Sequence, residues 1–235
     1  MSTSRLTVKS WFYHIVYAFA RLIARIIRVW ARWQVRGGEN VPKEGPLIVV
    51  ANHMNLIDVP ILAVSLGRKA TFMAKEELFR SKLQGSIMYA LGAFPVHRAR
   101  IDLQAIRQAK QVLDDGGVLI VFPEGKRSDD AQLQPGKQGS AMIALHTGVP
   151  ILPVGITGTE NLKGVLSILR RPHVVVNIGQ PFSLPPIDNN NNHKSTKEKR
   201  VEDTELVMKQ IAELLPVEYR GAYNGKETEY ENRKV

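Results

Sequence analysis

Residues 102–122, DLQAIRQAKQVLDDGGVLIVF, decide the fold class of this chain. A helix is predicted from Leu103 to Leu113, because Asp102 can cap its start and a Gly-Gly pair ends it. The apolar run Val118–Phe122 follows at once and is typical of a buried strand. One face of the predicted helix is apolar and consists of Leu103, Ile106, Ala109 and Leu113. A helix that leads directly into a buried strand is the repeating unit of an α/β domain.

The same alternation of short apolar runs and helical patterns continues on both sides of this stretch. Strands are predicted at Pro46–Ala51, Lys69–Ala74, Ala93–His97, Val118–Phe122, Ile151–Thr157 and Val174–Ile178. Further helices are predicted at Val59–Leu66, Phe79–Leu91 and Lys137–Thr147. We therefore expect an α/β fold, with a largely parallel or mixed sheet flanked by helices.

Composition limits the class of protein and its partners. The chain has 235 residues, of which 44% are hydrophobic and 23% are charged, as in ordinary globular proteins. It has no cysteine, which excludes disulfides, thiolate metal sites and a cysteine nucleophile. The net charge of +10 favours anionic partners such as nucleic acid, an acidic carrier protein, a phosphorylated substrate or an anionic membrane.

The N-terminal stretch from Trp11 to Trp33, WFYHIVYAFARLIARIIRVWARW, is long enough to span a bilayer but carries four arginines. On a helix these arginines fall within an arc of about 60°, and the rest of the circumference is apolar or aromatic. The stripe consists of Arg21, Arg25, Arg28 and Arg32. This pattern predicts an amphipathic helix that lies in the membrane interface. The alternative is a terminal helix that packs on its own domain with the arginines in solvent.

Four segments are predicted along the chain. Residues 1–36 form the amphipathic membrane-anchoring helix, and residues 37–183 form the α/β domain. Residues 184–200 form a polar, Asn-rich linker, which includes PPIDNNNNHKSTKEKR from Pro185 to Arg200. Residues 201–235 hold a C-terminal helix at Thr204–Leu215 and a charged tail.

Chemically active side chains follow four of the predicted strands. The residues at these strand ends are Asn52-His53 with Asp58, Lys75-Glu76, Arg98, and PEGKRS from Pro123 to Ser128. In an open α/β sheet, ligands bind outside the carboxyl ends of the strands. One histidine, a nearby carboxylate, several cations and a glycine turn are therefore expected to converge at one edge of the sheet.

His53 and Asp58 have the spacing His-x4-Asp, which brings them together only if His53 lies in a loop and Asp58 starts the next helix. Pro60 favours that placement, because proline is tolerated in the first turn of a helix. An aspartate on one ring nitrogen leaves the other nitrogen to accept a proton from a hydroxyl. The alternative is that Asp58 is simply the N-cap of that helix.

The chain has no Gly-x-Ser-x-Gly nucleophile elbow, so the activated hydroxyl is expected to be the substrate's own. The turn Phe122–Ser128 (FPEGKRS) is compatible with a phosphate site, since glycine and Arg127 suit that ligand. It is also compatible with a solvated basic turn. Walker and Rossmann fingerprints are missing, which argues against nucleotide chemistry.

Four ordered blocks of this sequence resemble the glycerolipid acyltransferase family, and most closely its bacterial 1-acylglycerol-3-phosphate acyltransferases. The blocks are Asn52-His53 with Asp58, AKEELF (Ala74–Phe79), FPEGKRS (Phe122–Ser128) and VPILPVGITGT (Val149–Thr159). The resemblance covers about Gly38 to Gln180. Lys126 stands where the family's third block usually has threonine, which affects the acceptor more than the chemistry.

The resemblance implies direct acyl transfer from a thioester of coenzyme A or acyl carrier protein to the free hydroxyl of a lysophospholipid. His53 would be the general base and Asp58 its orienting partner. Residues near the acceptor's glycerol phosphate would be Asn52, Lys75, Arg98, Glu124, Gly125 and Arg127. For Arg98, a salt bridge within the fold is an equal alternative. No metal or other cofactor is implied, because a thioester is already activated.

The implied product is phosphatidic acid, made at the cytoplasmic face of a membrane by a monotopic or peripheral enzyme. The partners are then an anionic membrane surface, lysophosphatidic acid and the acyl donor. A remodelling acyltransferase for another lysophospholipid and a non-enzymatic basic membrane-surface protein remain alternatives. Nucleic acid is not expected as a partner, because the densest arginine stripe lies among large apolar residues.

Overall fold

The computed structural model describes residues 32–97, 102–162, 171, 173–185 and 196–225, together with Ile15, Ala18 and Leu22. The interface-helix prediction lies almost entirely outside the described residues, and so do Arg21, Arg25 and Arg28. Arg32, the fourth arginine of the predicted stripe, is described: it is exposed in a turn with φ of 39°, so its assignment to the helix is wrong. In the part of the chain that is described, no helix is both long and apolar enough to cross a bilayer.

In the described part of the chain, seven strands form one mixed sheet, as the strand–helix alternation predicts. Their order across the sheet is β1-β7-β6-β2-β5-β3-β4, and only the β6–β7 pair is antiparallel. Their bounds are β1 Gln34–Arg36, β2 Leu47–Ala51, β3 Ala70–Lys75, β4 Ala93–Val96, β5 Val118–Val121, β6 Ile151–Thr157 and β7 Val175–Ile178. The parallel order places the carboxyl ends of β2, β5 and β3 side by side.

Five helices flank the described sheet. They are α1 Asp58–Ser65, α2 Lys82–Ala90, α3 Leu103–Asp114, α4 Gly139–Thr147 and α5 Thr196–Glu213. Asp102 caps α3 as predicted, because its Oδ1 accepts hydrogen bonds from the amides of Gln104 and Ala105. The face of α3 that packs on the sheet is centred on Ala105, Ala109 and Leu113, whereas Leu103 is exposed.

The core lies on both faces of the sheet, because successive residues of each strand point to opposite sides. Leu47 and Val49 of β2 face a cluster that includes Leu62 of α1. Ile48 and Val50 face the other cluster, to which α3, α4 and α5 contribute side chains. Strands that are buried on both faces appear as continuous apolar runs, which is why β2 and β5 are recognisable in the sequence.

Two predicted boundaries near the N terminus are wrong. Trp33 was assigned to the interface helix, but it is buried in the domain core. Gln34–Arg36 was assigned to the same helical segment, but it forms β1 at the edge of the sheet beside β7. Three residues with partly exposed side chains carry no periodic signal, so pairing with β7 decides their conformation.

The predicted linker at 184–200 is also wrong in its last part, because α5 begins at Thr196 instead of Thr204. Apart from Val201, the residues of α5 before Thr204 are polar and show no apolar stripe, although lysine and glutamate are good helix formers. Lys199 and Asp203 form an ion pair of 3.0 Å one turn apart, which supports the additional turns. Residues 186–195 of the predicted linker lie outside the described residues.

Candidate functional site

The loop after β2 brings His53 and Asp58 together. Nδ1 of His53 lies 2.9 Å from Oδ2 of Asp58, and the two side chains are 8% and 0% exposed. Oδ2 of Asp58 also accepts hydrogen bonds of 2.7 Å from the backbone N–H groups of Met54 and Asn55. A carboxylate oxygen only accepts, so Nδ1 carries the proton in this pair, and in the neutral ring Nε2 has the lone pair.

The structure decides between the two interpretations of Asp58. Asp58 is the first residue of α1, the N-cap position is Ile57, and no side chain caps this helix. The carboxylate turns back toward the loop that precedes the helix, where it holds the histidine and two amides. Asp58 therefore contacts Nδ1 of His53 and is not the N-cap of α1.

The ring of His53 is fixed from a second side by the loop after β5. It stacks on Phe122 with ring centroids 4.1 Å apart and an interplanar angle of 22°. The backbone N–H of His53 donates to Oε1 of Glu124 at 2.7 Å, and its carbonyl accepts from the amide of Ser128 at 2.7 Å. These contacts join the loop that holds the histidine to the loop that holds FPEGKRS.

Glu124 is buried, and both of its carboxyl oxygens accept hydrogen bonds from backbone amides. Oε1 accepts from His53, and Oε2 accepts from Gln134 at 3.0 Å. Burial raises the pKa of Glu124 to about 7, although the two amide hydrogen bonds act in the opposite direction. The negative charge of Asp58 raises this pKa further. The sequence predicts a substrate contact for Glu124, whereas the structure shows a contact with the backbone of His53.

Asn52 was also predicted to contact substrate, and the structure gives it another partner. Its side-chain amide donates to the carbonyl of Ile156 at 2.8 Å, and its Oδ1 accepts from the N–H of Ile156 at 2.7 Å. The side chain is buried and in effect extends the β2–β6 ladder by one step. Asn52 therefore stabilises the end of β2, and its polar atoms face the protein itself.

Of the predicted cations, the two that lie in the described residues, Lys75 and Arg127, are exposed. Lys75, at the end of β3, is exposed and forms an ion pair of 3.0 Å with Glu77. Its hydrogen bond is the main reason that the pKa of Glu77 is lowered. Arg127 is exposed in the loop after β5.

Gly125 has φ of +69°, a left-handed conformation that favours glycine. Arg98 lies outside the described residues.

A cavity of about 340 Å³ opens beside His53 and Gly125. Its wall is mostly apolar, and the apolar side chains include Met73, Val96, Ile106, Val121, Phe122 and Met142. The polar side chains on the wall include His53, His97, Asp102, Lys137, Ser140 and Arg200. Lys75 and Arg127 are not among the described residues that form the wall.

Sequence reasoning missed Lys137, Ser140 and Arg200 as residues of this site. Lys137 lies at the start of a predicted helix, and a lysine two residues before Gly-Ser at a helix start is a signal in the sequence. Arg200 was assigned to the linker, so its position could not be inferred. Within the described ranges, no group of His, Asp and Glu residues could hold a metal ion.

Known proteins resemble this chain in sequence and structure. The family model described as Acyltransferase matches residues 32–157, more than half of the chain. The chloroplastic 1-acyl-sn-glycerol-3-phosphate acyltransferase BAT2 of Brassica napus is 32% identical over 177 residues, which are 73% of this chain and 50% of that protein. The 1-acyl-sn-glycerol-3-phosphate acyltransferase of Bacillus subtilis is 29% identical over 188 residues, which are 77% of this chain and 89% of that protein.

A solved structure with the same fold is the 1-acyl-sn-glycerophosphate (LPA) acyltransferase PlsC from Thermotoga maritima. The TM-score is 0.61 at 32% sequence identity, over 86% of this chain and 79% of that chain. The chain spans about half the length of the plant and algal relatives that it matches. The matched region contains the loops after β2 and β5 with the His53–Asp58 pair, and on this match the chain belongs to the acyltransferase family.

Proposed function

We propose that this protein transfers a fatty acyl group from a thioester to the free hydroxyl of 1-acylglycerol-3-phosphate and so forms phosphatidic acid. The observation that carries the proposal is the His53–Asp58 pair at the mouth of an apolar cavity. The names of the relatives from Brassica napus, Bacillus subtilis and Thermotoga maritima support the choice of acceptor.

In the proposed mechanism, Nε2 of His53 removes the proton of the acceptor hydroxyl as its oxygen attacks the thioester carbonyl. The resulting tetrahedral intermediate expels the thiolate, which takes the proton from the imidazolium. Asp58 keeps Nδ1 protonated and stabilises the positive ring in between. The acyl group moves directly to the acceptor, without a covalent enzyme intermediate and without a metal or other cofactor.

The remaining groups have binding and positioning roles in this proposal. Glu124 and Asn52 fix the backbone on either side of the base, since both are buried and bound to main-chain groups. Arg127 and Lys75 are exposed near the same edge of the sheet and attract the acceptor's phosphate, with Gly125 providing a close backbone approach. The apolar part of the cavity takes part of an acyl chain.

The proposed location is the cytoplasmic face of a membrane, with residues 1–31 lying in the interface. Lysophosphatidic acid is an interfacial molecule, so an enzyme that uses it must reach the headgroup region. Arg21, Arg25 and Arg28 of this segment add about 1 kcal/mol per residue at an anionic surface. We expect the full chain to co-sediment with anionic vesicles, and to do so much less with neutral vesicles.

Thiol release from acyl-coenzyme A, measured with and without lysophosphatidic acid, tests the proposed activity. Release that depends on lysophosphatidic acid and yields phosphatidic acid in equal amount is expected. The same assay with acyl carrier protein thioesters distinguishes the donors. Acceptor-independent release would indicate a thioesterase instead, and faster use of another lysophospholipid would indicate a remodelling enzyme.

A further inference from the structure

We propose that Lys137 and the amino-terminal turn of α4 form a phosphate-binding subsite on the wall of the catalytic cavity. The choice of ligand rests on the proposed function, because both proposed substrates carry phosphate groups: the acceptor in its headgroup and acyl-coenzyme A in its nucleotide portion. The subsite lies apart from the exposed side chains of Lys75 and Arg127, which do not belong to the cavity wall.

The backbone of Lys137 is bound to the loop after β5, which also contacts the backbone of His53. The N–H of Lys137 donates to the carbonyl of Pro123 at 2.8 Å, and the N–H of Gln134 donates to Glu124 at 3.0 Å. The other oxygen of Glu124 accepts from His53. These hydrogen bonds fix the position of the Lys137 backbone relative to His53, although the side chain of Lys137 is exposed.

The side chain of Lys137 crosses directly over Gly125. A Cβ placed on Gly125 would lie 2.8 Å from Cδ of Lys137, 2.9 Å from Cε and 3.1 Å from Nζ. The absence of a side chain at Gly125 therefore leaves the space in which the lysine lies. Since Gly125 and His53 line the same cavity, the ammonium group lies on the wall of the space that the substrates would enter.

The first turn of α4 provides a second attraction for an anion. Its leading amides have no acceptor within the helix, and Gln138 at the N-cap position makes no side-chain cap. The first turn has no acidic residue. Ser140 is 1% exposed, lies on the cavity wall, and its hydroxyl has no hydrogen-bond partner among the described residues. A buried hydroxyl without a partner is costly unless a ligand provides one.

The charges around the cavity agree with an anionic ligand. Arg200 of α5 lines the same wall as Lys137. Asp102 also lines it, but its two oxygens accept hydrogen bonds from the amides of His97, Gln104 and Ala105. A lysine, helix amides and a hydroxyl are the donors with which proteins commonly hold phosphate.

The test compares Lys137→Gln with Lys137→Arg and with Lys209→Gln in the full-length protein. Lys209 is an exposed lysine of α5 outside the described cavity wall. Lys209→Gln removes one positive charge, as Lys137→Gln does, and is therefore the matched control. The KM for lysophosphatidic acid is measured beside that for 1-acylglycerol, and the KM for acyl-coenzyme A beside that for an acyl-N-acetylcysteamine thioester. The second member of each pair has no phosphate.

Lys137→Gln should raise the KM for one phosphate-bearing substrate about tenfold or more, and that of its phosphate-free counterpart less than about twofold. The substrate that responds identifies the source of the phosphate. Lys137→Arg should keep most of the affinity, and Ser140→Ala should raise the same KM by a smaller factor. Changes in Lys137→Gln no larger than in Lys209→Gln, or equal losses with and without phosphate, would overturn the proposal.

Direct binding separates this inference from the proposed activity. Line broadening in the phosphorus NMR spectra of coenzyme A and glycerol 3-phosphate does not depend on turnover. The wild type should broaden at least one of the two ligands, and Lys137→Gln should lose that effect. An inactive wild type that still showed this difference would contradict the proposed function and leave the subsite supported. No difference between the two proteins would contradict the subsite.

Discussion

The loops after β2 and β5 carry the polar residues of this site, but they use them differently. In the loop after β2, Asn52, His53 and Asp58 are buried and bound to the chain itself. In the loop after β5, Glu124 is buried in the same way, whereas Lys126 and Arg127 are exposed. A group that moves a proton needs one fixed geometry, while cations that meet a lipid headgroup can adapt to it. The residues proposed to carry out the chemistry are therefore buried, and the cations proposed to bind the headgroup are exposed.

The largest effect is expected from the buried pair. Asp58→Asn removes the acceptor charge that keeps Nδ1 of His53 protonated, so kcat should fall by about 10²–10⁴-fold. His53→Ala should abolish nearly all turnover. Steady-state thiol release measures both, with circular dichroism as the check on folding. A lower melting temperature of Asp58→Asn with unchanged kcat would mean that Asp58 serves only the structure.

A smaller and more selective effect is expected from the exposed cations. Arg127→Lys keeps the charge but loses the planar fork that matches a phosphate. We expect kcat/KM for lysophosphatidic acid to fall about tenfold or more, while the KM for the thioester stays the same. Arg107→Lys, at an exposed position of α3, is the matched control. Equal loss with a phosphate-free acceptor would assign Arg127 to the structure.

Glu124 links the two loops, and its protonation predicts a pH effect on stability. Its pKa is about 7 in the folded chain against an ordinary value of 4.5, so the folded chain binds a proton that the unfolded chain has released between these values. Its contribution to the free energy of unfolding therefore falls as the pH rises from about 4.5 to 7, and levels off above 7.

Glu124→Gln cannot ionise, and it has only one acceptor oxygen for the two amides. The variant should be less stable than the wild type, by a margin that narrows as the pH rises through this window. Turnover should fall about tenfold, because the backbone of His53 loses its fixed position. Urea unfolding at several pH values measures the margin. A margin that stays constant with pH would show that Glu124 is ionised in the folded chain throughout the window.

The smallest effect on chemistry is expected at Asn52, where stability should change instead. Asn52→Ala leaves the N–H and carbonyl of Ile156 buried without their partners, which costs about 2 kcal/mol or more. Turnover per folded molecule should stay within about threefold. Asn161→Ala, at an exposed position, should change the free energy of unfolding by less than about 0.5 kcal/mol. A large loss of turnover with unchanged stability would return Asn52 to the substrate site.

Six of the seven described strands could be predicted from the sequence, because each is a short apolar run that ends at a turn signal. β1 could not, since three partly exposed residues acquire their conformation from the edge of β7. The start of α5 was missed for a related reason: its first turns are held by helix propensity and the Lys199–Asp203 pair instead of an apolar stripe. The pairing of β1 with β7 is tertiary and is not encoded in the local sequence, whereas the first turns of α5 lack the apolar periodicity by which a helix is recognised.

In the site, the sequence predicts the His53–Asp58 pair but not the partners of the surrounding polar residues. Asn52 and Glu124 look like substrate contacts, because polar residues at strand ends usually point to function. Their side chains instead satisfy the amides of Ile156, His53 and Gln134. Ile156 lies 104 residues from Asn52, and His53 and Gln134 lie 71 and 10 residues from Glu124. The cavity residues Lys137 and Arg200 come from α4's entry and from α5, and only the packed fold brings them to one wall.

The most direct test of the account is the tautomer of His53 in the folded protein. Nitrogen NMR of imidazole-labelled protein, with His53 assigned by its loss in His53→Ala, reports which ring nitrogen carries the proton. In the neutral ring, the account predicts a protonated Nδ1 held by Asp58 and an unprotonated Nε2 ready to accept the acceptor's proton. A proton on Nε2 and none on Nδ1 would contradict this mechanism, because Nε2 of His53 could not then accept the proton of the acceptor hydroxyl.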